Sequence, residues 1–415
     1  MSRFTDFICH MICIYIFILP IVHSKFNFKG IPLNGDVILA LIIILYLISI
    51  LISSKNRKRF KNGIKDFFTN YNTIFMFLWI AMMFISILYS TDIKLALKES
   101  IRISTYMMLF FIIKYDMYKK CMLDKIIYSS IFVSIIIGVI GIYEYAKGVG
   151  FQHTGSMETV NRVASTLENS NNLGAFFVLL AFPYIVLFLK EKNKKRKILF
   201  GIATIISILN VIFSFSRNAW LGLIIGYVAL IFVFNFKLIY GAILGGGIAL
   251  SVPKIINRLK EVGDTNQNLS RISLWKVAIE MIRDHPILGV GNGNYRTLYS
   301  KYYKDVEKLG YKAHENFHPH NAYLKAQCEL GVVGSISLIG FLVSTLIKNN
   351  KFSNKIKNEF YKNFYKGYTA SIVAFIFMSL IDNFFSAPKV IAFFWIFIAV
   401  SNSYEYNVNN ERNIN

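Results

Sequence analysis

Long apolar runs alternate with short polar segments along nearly the whole chain. Most runs are close to the roughly 20 residues that a helix needs to cross a bilayer. They are too long and too uniformly apolar for the alternating strands of a membrane barrel, so each predicts a helix. About twelve runs occur, at residues 7–23, 36–53, 72–89, 100–115, 126–146, 172–190, 198–214, 218–236, 238–252, 321–347, 367–383 and 388–403. The pattern predicts an all-α integral membrane protein, with residues 1–415 as a single polytopic domain.

The largest polar interruption covers residues 253–320, between the ninth and tenth runs. Within it, the apolar spacing of Ser270 to Asp284 predicts a helix at the membrane interface, with Trp275 at head-group depth. His285 to Asn294 then reads as a helix stop and a glycine-rich turn, and Tyr295 to Gly310 as a second amphipathic piece. We interpret this large loop as a lid over one membrane face.

The distribution of Lys and Arg predicts the orientation. The connectors 54–67, 115–125, 190–197 and 348–366 hold six, three, six and six of them. The opposite short loops 24–35, 90–99, 147–171, 215–217 and 384–389 hold two, two, two, one and one. By the positive-inside rule, both termini are cytoplasmic and the loop 253–320 is extracytoplasmic.

We therefore attribute the net charge of +23 to the membrane topology and to contact with anionic lipids. No nucleic-acid partner is expected. The chain has no nucleotide-binding glycine fingerprint, and its four cysteines form no disulfide framework or zinc knuckle pattern. The first run resembles a signal peptide but lacks a small-residue cleavage site, so we expect a retained helix. Gly245 to Gly247, inside the ninth run, predict a close helix contact.

Two arginines are candidates for anion binding on the outer face. Arg217 lies at the junction of two runs, where a charge must be hydrated, paired or ligated. It is either a snorkelling interfacial side chain or a clamp for phosphate oxygens. Arg162 precedes Asn169 and Asn171, which either cap the next helix or bind sugar or phosphate.

His320 begins the run after the large loop, where it is either a general base or a capping residue. The segment from His314 to His318 matches the zinc motif HExxH, but Pro319 disfavours the helix that this motif needs. We therefore expect no metal site. Asp382, near the outer end of another run, could pair with an arginine.

The order of these blocks resembles the O-antigen ligase/polymerase family. The blocks are Arg162-Val-Ala-Ser-Thr-Leu-Glu-Asn-Ser-Asn-Asn-Leu-Gly, Ser216-Arg-Asn-Ala-Trp, Arg271-Ile-Ser-Leu-Trp through Asn294-Tyr, and His320-Asn-Ala-Tyr-Leu with Glu329-Leu-Gly-Val-Val-Gly. The resemblance implies a GT-C-like membrane transferase that needs neither nucleotide nor metal. Its donor would be a glycan on a polyprenyl diphosphate, and its acceptor a sugar hydroxyl on lipid A-core, another lipid-linked chain or a wall polymer.

The implied roles follow from the chemistry of a departing diphosphate. Arg217 would stabilise the leaving oxygens and His320 would take the acceptor proton. Arg162, Arg271 and Arg296 would share the anion binding, and the polar side chains Asn169, Asn171 and Asn321 would contact the substrate. The choice between ligase and polymerase stays open. Two other functions also stay open: a flippase or transporter of lipid-linked sugars, and a non-catalytic assembly protein.

Overall fold

The structure is a computed structural model. It describes residues 3–24, 26–28, 31–32, 35–152, 162–249, 251, 256, 265–303 and 318–412. Its longer helices are α1 Arg3–Ile21, α2 Gly35–Ile52, α3 Ser54–Thr69, α4 Tyr71–Ile85, α5 Ile93–Asp116, α6 Lys120–Lys147, α7 Ser170–Lys190, α8 Lys194–Phe213, α9 Arg217–Val233, α10 Ile239–Ala249, α11 Thr265–Asp284, α12 Tyr295–Tyr303, α13 Ala322–Ser353, α14 Glu359–Met378 and α15 Pro388–Arg412. Two short antiparallel ribbons accompany them: β1 Asn27–Phe28 with β2 Ile31–Pro32, and β3 Phe151–Gln152 with β4 Arg162–Val163.

Each of the twelve apolar runs coincides with a helix, so the all-α fold class is confirmed. Seven of the described helices, α1, α2, α4, α6, α7, α8 and α13, are long and apolar enough to cross a membrane. The other five helices that coincide with apolar runs, α5, α9, α10, α14 and α15, are shorter or more polar. Twelve crossings, the GT-C-like arrangement and the sidedness of the loops therefore stay predictions.

Helix α7 is the centre of the bundle, buried along most of its length and packed against α8, α9 and α14. Glycine allows the closest of these approaches. A Cβ at Gly367 of α14 would lie 2.5 Å from the backbone oxygen of Phe182 in α7. Small residues at helix contacts let backbones meet in this way. The expected contact at Gly245 to Gly247 is not observed, since a Cβ there would meet no atom of the described chain within 4 Å.

The basic connector after α2 folds into α3, which docks on the C-terminal end of α5. Lys114 Nζ lies 2.6 Å from Asp66 Oδ2, and Arg59 Nε lies 3.1 Å from Asp116 Oδ1. We call this the Lys114 end of the bundle. Lys114 is fifteen residues from Glu99 along α5, which places the two residues about 22 Å apart at the rise of an α-helix.

The glycine-rich turn after α11 docks into a break in α13. Gly331 interrupts this helix with φ 64° and ψ −164°, a conformation that favours glycine. The freed backbone groups pair with the turn: Val332 N donates to Ile287 O at 3.2 Å, and Gly291 N donates to Glu329 O at 2.9 Å. The turn is thus anchored to the helix that carries His320 at its start.

The helix predicted over residues 270–284 is present as part of α11, and part of its predicted apolar face is buried. Leu274, Val277, Ala278 and Met281 pack against α12 and α13. Ile272 and Ile279, which belong to the same apolar pattern, are each 39% exposed. Part of the predicted amphipathic piece 295–310 forms α12, and its remainder lies outside the described residues.

Candidate active site

The C-terminal end of α14 brings two predicted site residues to one place. Asn218 Nδ2 donates to Met378 O at 3.0 Å, and Ala322 N donates to Ser379 O at 2.9 Å. The first turns of α9 and α13 are therefore hydrogen-bonded to two consecutive carbonyl oxygens at the end of α14. Arg217 precedes Asn218, and His320 lies two residues before Ala322, so both sit at this end of the bundle. We call it the His320 end.

His320 is held by a carboxylate in the turn beyond α14. Its Nδ1 lies 2.9 Å from Asp382 Oδ1, and the same oxygen accepts a hydrogen bond from Asn383 N at 2.8 Å. A carboxylate only accepts, so the neutral ring carries its proton on Nδ1 and its lone pair on Nε2. The backbone of His320 has φ 45°, an uncommon conformation that recurs at functional sites.

Burial, hydrogen bonding and nearby charge shift the pKa values of the two groups beside His320. Burial alone would raise the pKa of the Asp382 carboxyl, but the hydrogen bond and charge of His320 lower it. Burial, followed by the nearby charge of His320, lowers the pKa of His318 to about 3. His318 is therefore neutral at physiological pH. Its Nδ1 accepts a hydrogen bond from His320 N at 3.2 Å, which helps to fix that backbone.

The same three side chains are the closest approach to a metal site among the described residues. His318, His320 and Asp382 each offer a ligand atom, and these atoms lie within 4.8 Å of one another. However, His320 Nδ1 and Asp382 Oδ1 are already hydrogen-bonded, as is His318 Nδ1. The absence of a metal stays a prediction. Most of the HExxH segment, His314 to Phe317, lies outside the described residues.

Arg162 is buried and tied to the turn that carries Arg217. Its Nε donates to Ser214 O at 3.2 Å, and its Nη2 donates to Asn171 Oδ1 at 2.6 Å. Arg162 and Asn171, predicted separately, are thus direct partners. Ser214 begins the short turn between α8 and α9, so both arginines flank one turn.

Arg217 is the first residue of α9 and is partly exposed. Ser216 caps the helix, because its side chain accepts from Ala219 N at 3.4 Å. A helix N-terminus carries partial positive charge and unpaired N–H groups, which suit an anion. The guanidinium and the helix end therefore favour the same kind of ligand.

Two of the predicted asparagines act as helix caps. The side-chain oxygen of Asn169 accepts from Asn171 N at 2.7 Å, at the start of α7. That of Asn321 accepts from the backbone nitrogens of Tyr323 and Leu324, each at 3.0 Å. The capping interpretation thus describes the oxygen of Asn169, and Asn321 takes the cap position for which the sequence had offered His320. Substrate contact by either asparagine stays a prediction.

Arg271 and Arg296 lie on the large loop, outside this hydrogen-bonded group. Arg271 is partly exposed on α11, and Arg296 is exposed at the start of α12. Arg296 is close enough to Glu99 of α5 to influence it electrostatically. The described hydrogen bonds connect the segments of Arg217 and His320 to the end of α14, and they connect Arg162 to Asn171 and to the turn before α9.

Sequence reasoning missed the partner of His320 and a second ion pair at this end. Asp382 was expected to pair with an arginine, but its described partner is a histidine 62 positions away. Lys389 pairs with Glu168 at 2.8 Å, and Glu168 also accepts from Ser24 N at 2.7 Å. These contacts lock α15, the segment before α7 and the end of α1 together. The conformation of Glu168, φ 64°, had no sequence signal.

Residues 202–339 match a family model described as O-antigen ligase. The segment contains Arg217, Arg271, Arg296, His320 and Asn321, and the match confirms the resemblance that the sequence motifs indicated. The chain is also 26% identical over 204 residues to an uncharacterized protein of Haemophilus influenzae. That similarity covers 43% of this chain and 49% of the relative, so the match spans about half the relative's length.

Proposed function

We propose that this protein is a membrane glycosyltransferase. It moves a glycan from a polyprenyl diphosphate onto an acceptor hydroxyl at the outer face of the cytoplasmic membrane. The observation that carries the proposal is the pairing of His320 with Asp382 beside the helix start that bears Arg217. The match of residues 202–339 to the O-antigen ligase family supports the reaction class.

In the proposed reaction the acceptor oxygen attacks the anomeric carbon of the donor sugar. One C–O bond forms to the acceptor, and the bond from the anomeric carbon to the diphosphate oxygen breaks. The diphosphate leaves with the electron pair, and the acceptor proton passes to His320 Nε2. A single displacement of this kind inverts the anomeric centre.

Asp382 assists the proton transfer to His320, and Arg217 assists the departure of the diphosphate. Asp382 holds the His320 tautomer whose Nε2 accepts a proton, and it stabilises the imidazolium that forms. Arg217 and the N-terminus of α9 meet the charge that develops on the diphosphate. Arg162 orients the turn through Ser214 O and adds positive charge nearby. Arg271 and Arg296 would contact parts of the donor farther from the reacting carbon.

The decisive test is transfer by purified protein in proteoliposomes, using lipid-diphosphate-linked glycan extracted from a deletion strain. We expect His320→Ala and Arg217→Ala each to lower the rate by about 10²-fold or more. Matched controls are His10→Ala and Arg283→Ala, which remove exposed side chains of the same types. Full activity in both site variants, at wild-type folding and yield, would overturn the mechanism.

The material that accumulates in the deletion strain separates the remaining alternatives. Single lipid-linked repeats indicate a polymerase, and long chains left on the lipid carrier indicate a ligase. Repeats trapped on the cytoplasmic side indicate a flippase and would contradict the proposal. A strain in which all of these pools match the parent would indicate a non-catalytic role.

A further inference from the structure

A small cavity lies between α4, α5, α13 and the turn after α14. Its lining includes Glu99 and Arg102 from α5, Lys325 and Glu329 from α13, and Trp79 from α4. Its volume of about 30 Å³ is room for one or two water-sized groups.

The cavity adjoins the proposed base. Ala322, which lines it, is two residues after His320, and Asn383, which also lines it, directly follows Asp382. Asn383 N is hydrogen-bonded to the Asp382 carboxylate at 2.8 Å. The cavity wall is therefore continuous with the two segments that carry His320 and Asp382.

The charges in the cavity come as two pairs, each within one helix. Arg102 Nη2 lies 2.6 Å from Glu99 Oε2, and Lys325 Nζ lies 3.1 Å from Glu329 Oε2. Two cations and two carboxylates cancel in formal charge, so a diphosphate would face repulsion from both carboxylates. Sugar hydroxyls suit this lining better, because they donate to carboxylates and accept from the ammonium and guanidinium groups.

Trp79 supplies an unused donor at the cavity wall. The residue is 3% exposed, and its ring stacks on Phe341 and meets Phe385 edge-on. Its indole Nε1 is buried and has no hydrogen-bond partner in the described part of the chain. A buried indole N–H usually finds a partner, so a ligand oxygen would satisfy it.

The wall is held rigid by the glycine-rich turn. Asn292, which lines the cavity, donates from its side chain to Ser100 Oγ at 3.0 Å and from its backbone to Ser86 Oγ at 3.0 Å. Gly293 N donates to Glu329 Oε2 at 2.8 Å. A site whose side chains are already fixed loses less entropy when a ligand binds.

We infer that this cavity binds one edge of an uncharged sugar of the acceptor and presents its hydroxyl to His320. The inference rests on the proposed transferase function and deepens it. The acceptor is recognised by the Glu99–Arg102 and Lys325–Glu329 pairs and by Trp79. The donor diphosphate is recognised separately, at the turn between Arg162 and Arg217.

The test measures binding without requiring transfer. Saturation-transfer NMR on purified protein would use the methyl glycosides of glucose, galactose and N-acetylglucosamine as probes. We expect at least one to bind, and we expect Trp79→Phe and Glu99→Gln each to weaken it about tenfold. Trp79→Phe keeps an aromatic ring and removes only the indole N–H, and Glu99→Gln keeps the side-chain shape. Arg217→Ala should bind the glycoside normally.

A kinetic measurement uses the transfer assay with the natural acceptor at varied concentration. The same two variants should raise the acceptor KM about tenfold, with the donor KM and the limiting rate little changed. Glycoside binding that is absent, unchanged in both variants, or displaced by inorganic diphosphate would overturn the inference. If glycosides bind as expected but the wild-type protein transfers nothing, the acceptor role and the proposed function both fail.

Discussion

Both ends of the bundle carry buried charges on the same helices, yet the charges are paired differently. At the Lys114 end the pairs join separate helices. Lys114 of α5 meets Asp66 of α3, and Lys348 of α13 meets Glu405 of α15 at 3.1 Å. At the His320 end, α5 and α13 instead pair their charges internally, with spacings of three and four residues.

This difference separates charges that hold helices together from charges that can serve a ligand. An ion pair between helices is satisfied only when those helices are in place, so it contributes to the packing. A pair within one helix forms without any neighbouring helix, so the pair itself contributes little to packing. At the His320 end, the side chains of both pairs also line the cavity. Lys389 and Glu168 also join separate segments at the His320 end, so the contrast concerns α5 and α13.

The largest expected effect comes from a substitution at the His320 end. Asp382→Asn keeps the side-chain shape but removes the carboxylate that selects the His320 tautomer. We expect the transfer rate to fall by about 10²-fold, because the base loses its orientation and its support for the imidazolium. The measurement is the initial rate in proteoliposomes. Asp284→Asn is the control, since Asp284 is an exposed carboxylate that accepts from Tyr302. Equal rates for the two variants would contradict the prediction.

The next effect is on stability, at the Lys114 end. Lys114→Met leaves the Asp66 carboxylate without its cation, and we expect a loss of about 3 kcal/mol in the free energy of unfolding. The rate per folded molecule should stay unchanged, because Lys114 lies about 22 Å along α5 from Glu99 at the other end of that helix. Thermal unfolding in detergent and the transfer assay measure the two quantities. A large loss of rate with normal stability would show that Lys114 serves the reaction and does not hold the helices together.

The smallest expected effect concerns the anchor of the large loop. A Cβ at Gly331 would lie 1.9 Å from Ile287 O, and the residue has φ 64°. We expect Gly331→Ala to destabilise the docked turn by about 2 kcal/mol. Limited proteolysis should then cut the loop faster than in the wild type. The control is Gly246→Ala, where a Cβ meets nothing within 4 Å. Equal protection in both variants would show that the docking tolerates a side chain.

The helices and their caps were largely predictable because they depend on neighbouring residues. The apolar runs marked helices by length, and Asn169 caps the helix that follows it, as one of its two interpretations predicted. The cap of α13 is Asn321, where the sequence had offered His320. The apolar pattern of α11 was only partly informative about burial. Leu274 and Met281 are buried, whereas Ile272 and Ile279 are exposed. A helical pattern in a loop indicates a helix, but the choice of the packed stripe depends on which helix it meets.

For the candidate site, the sequence indicated which residues to consider but not how they are arranged in space. His320 and Arg217 were chosen for their chemistry at the ends of apolar runs, and the family match covers both. Their common attachment to the end of α14 had no local signal. Neither had the contact between Arg162 and Ser214, since the two residues are 52 positions apart.

The sequence by itself determined that this is a helical membrane protein with its candidate chemistry at one set of helix ends. That follows from the length of the apolar runs and from the cost of charge in hydrocarbon. Only the tertiary structure decided that His320 pairs with Asp382, and that α13 breaks at Gly331 to receive the glycine-rich turn. The physical reason is that apolar length is a local property, whereas a hydrogen bond between distant segments depends on which helix ends the packing brings together.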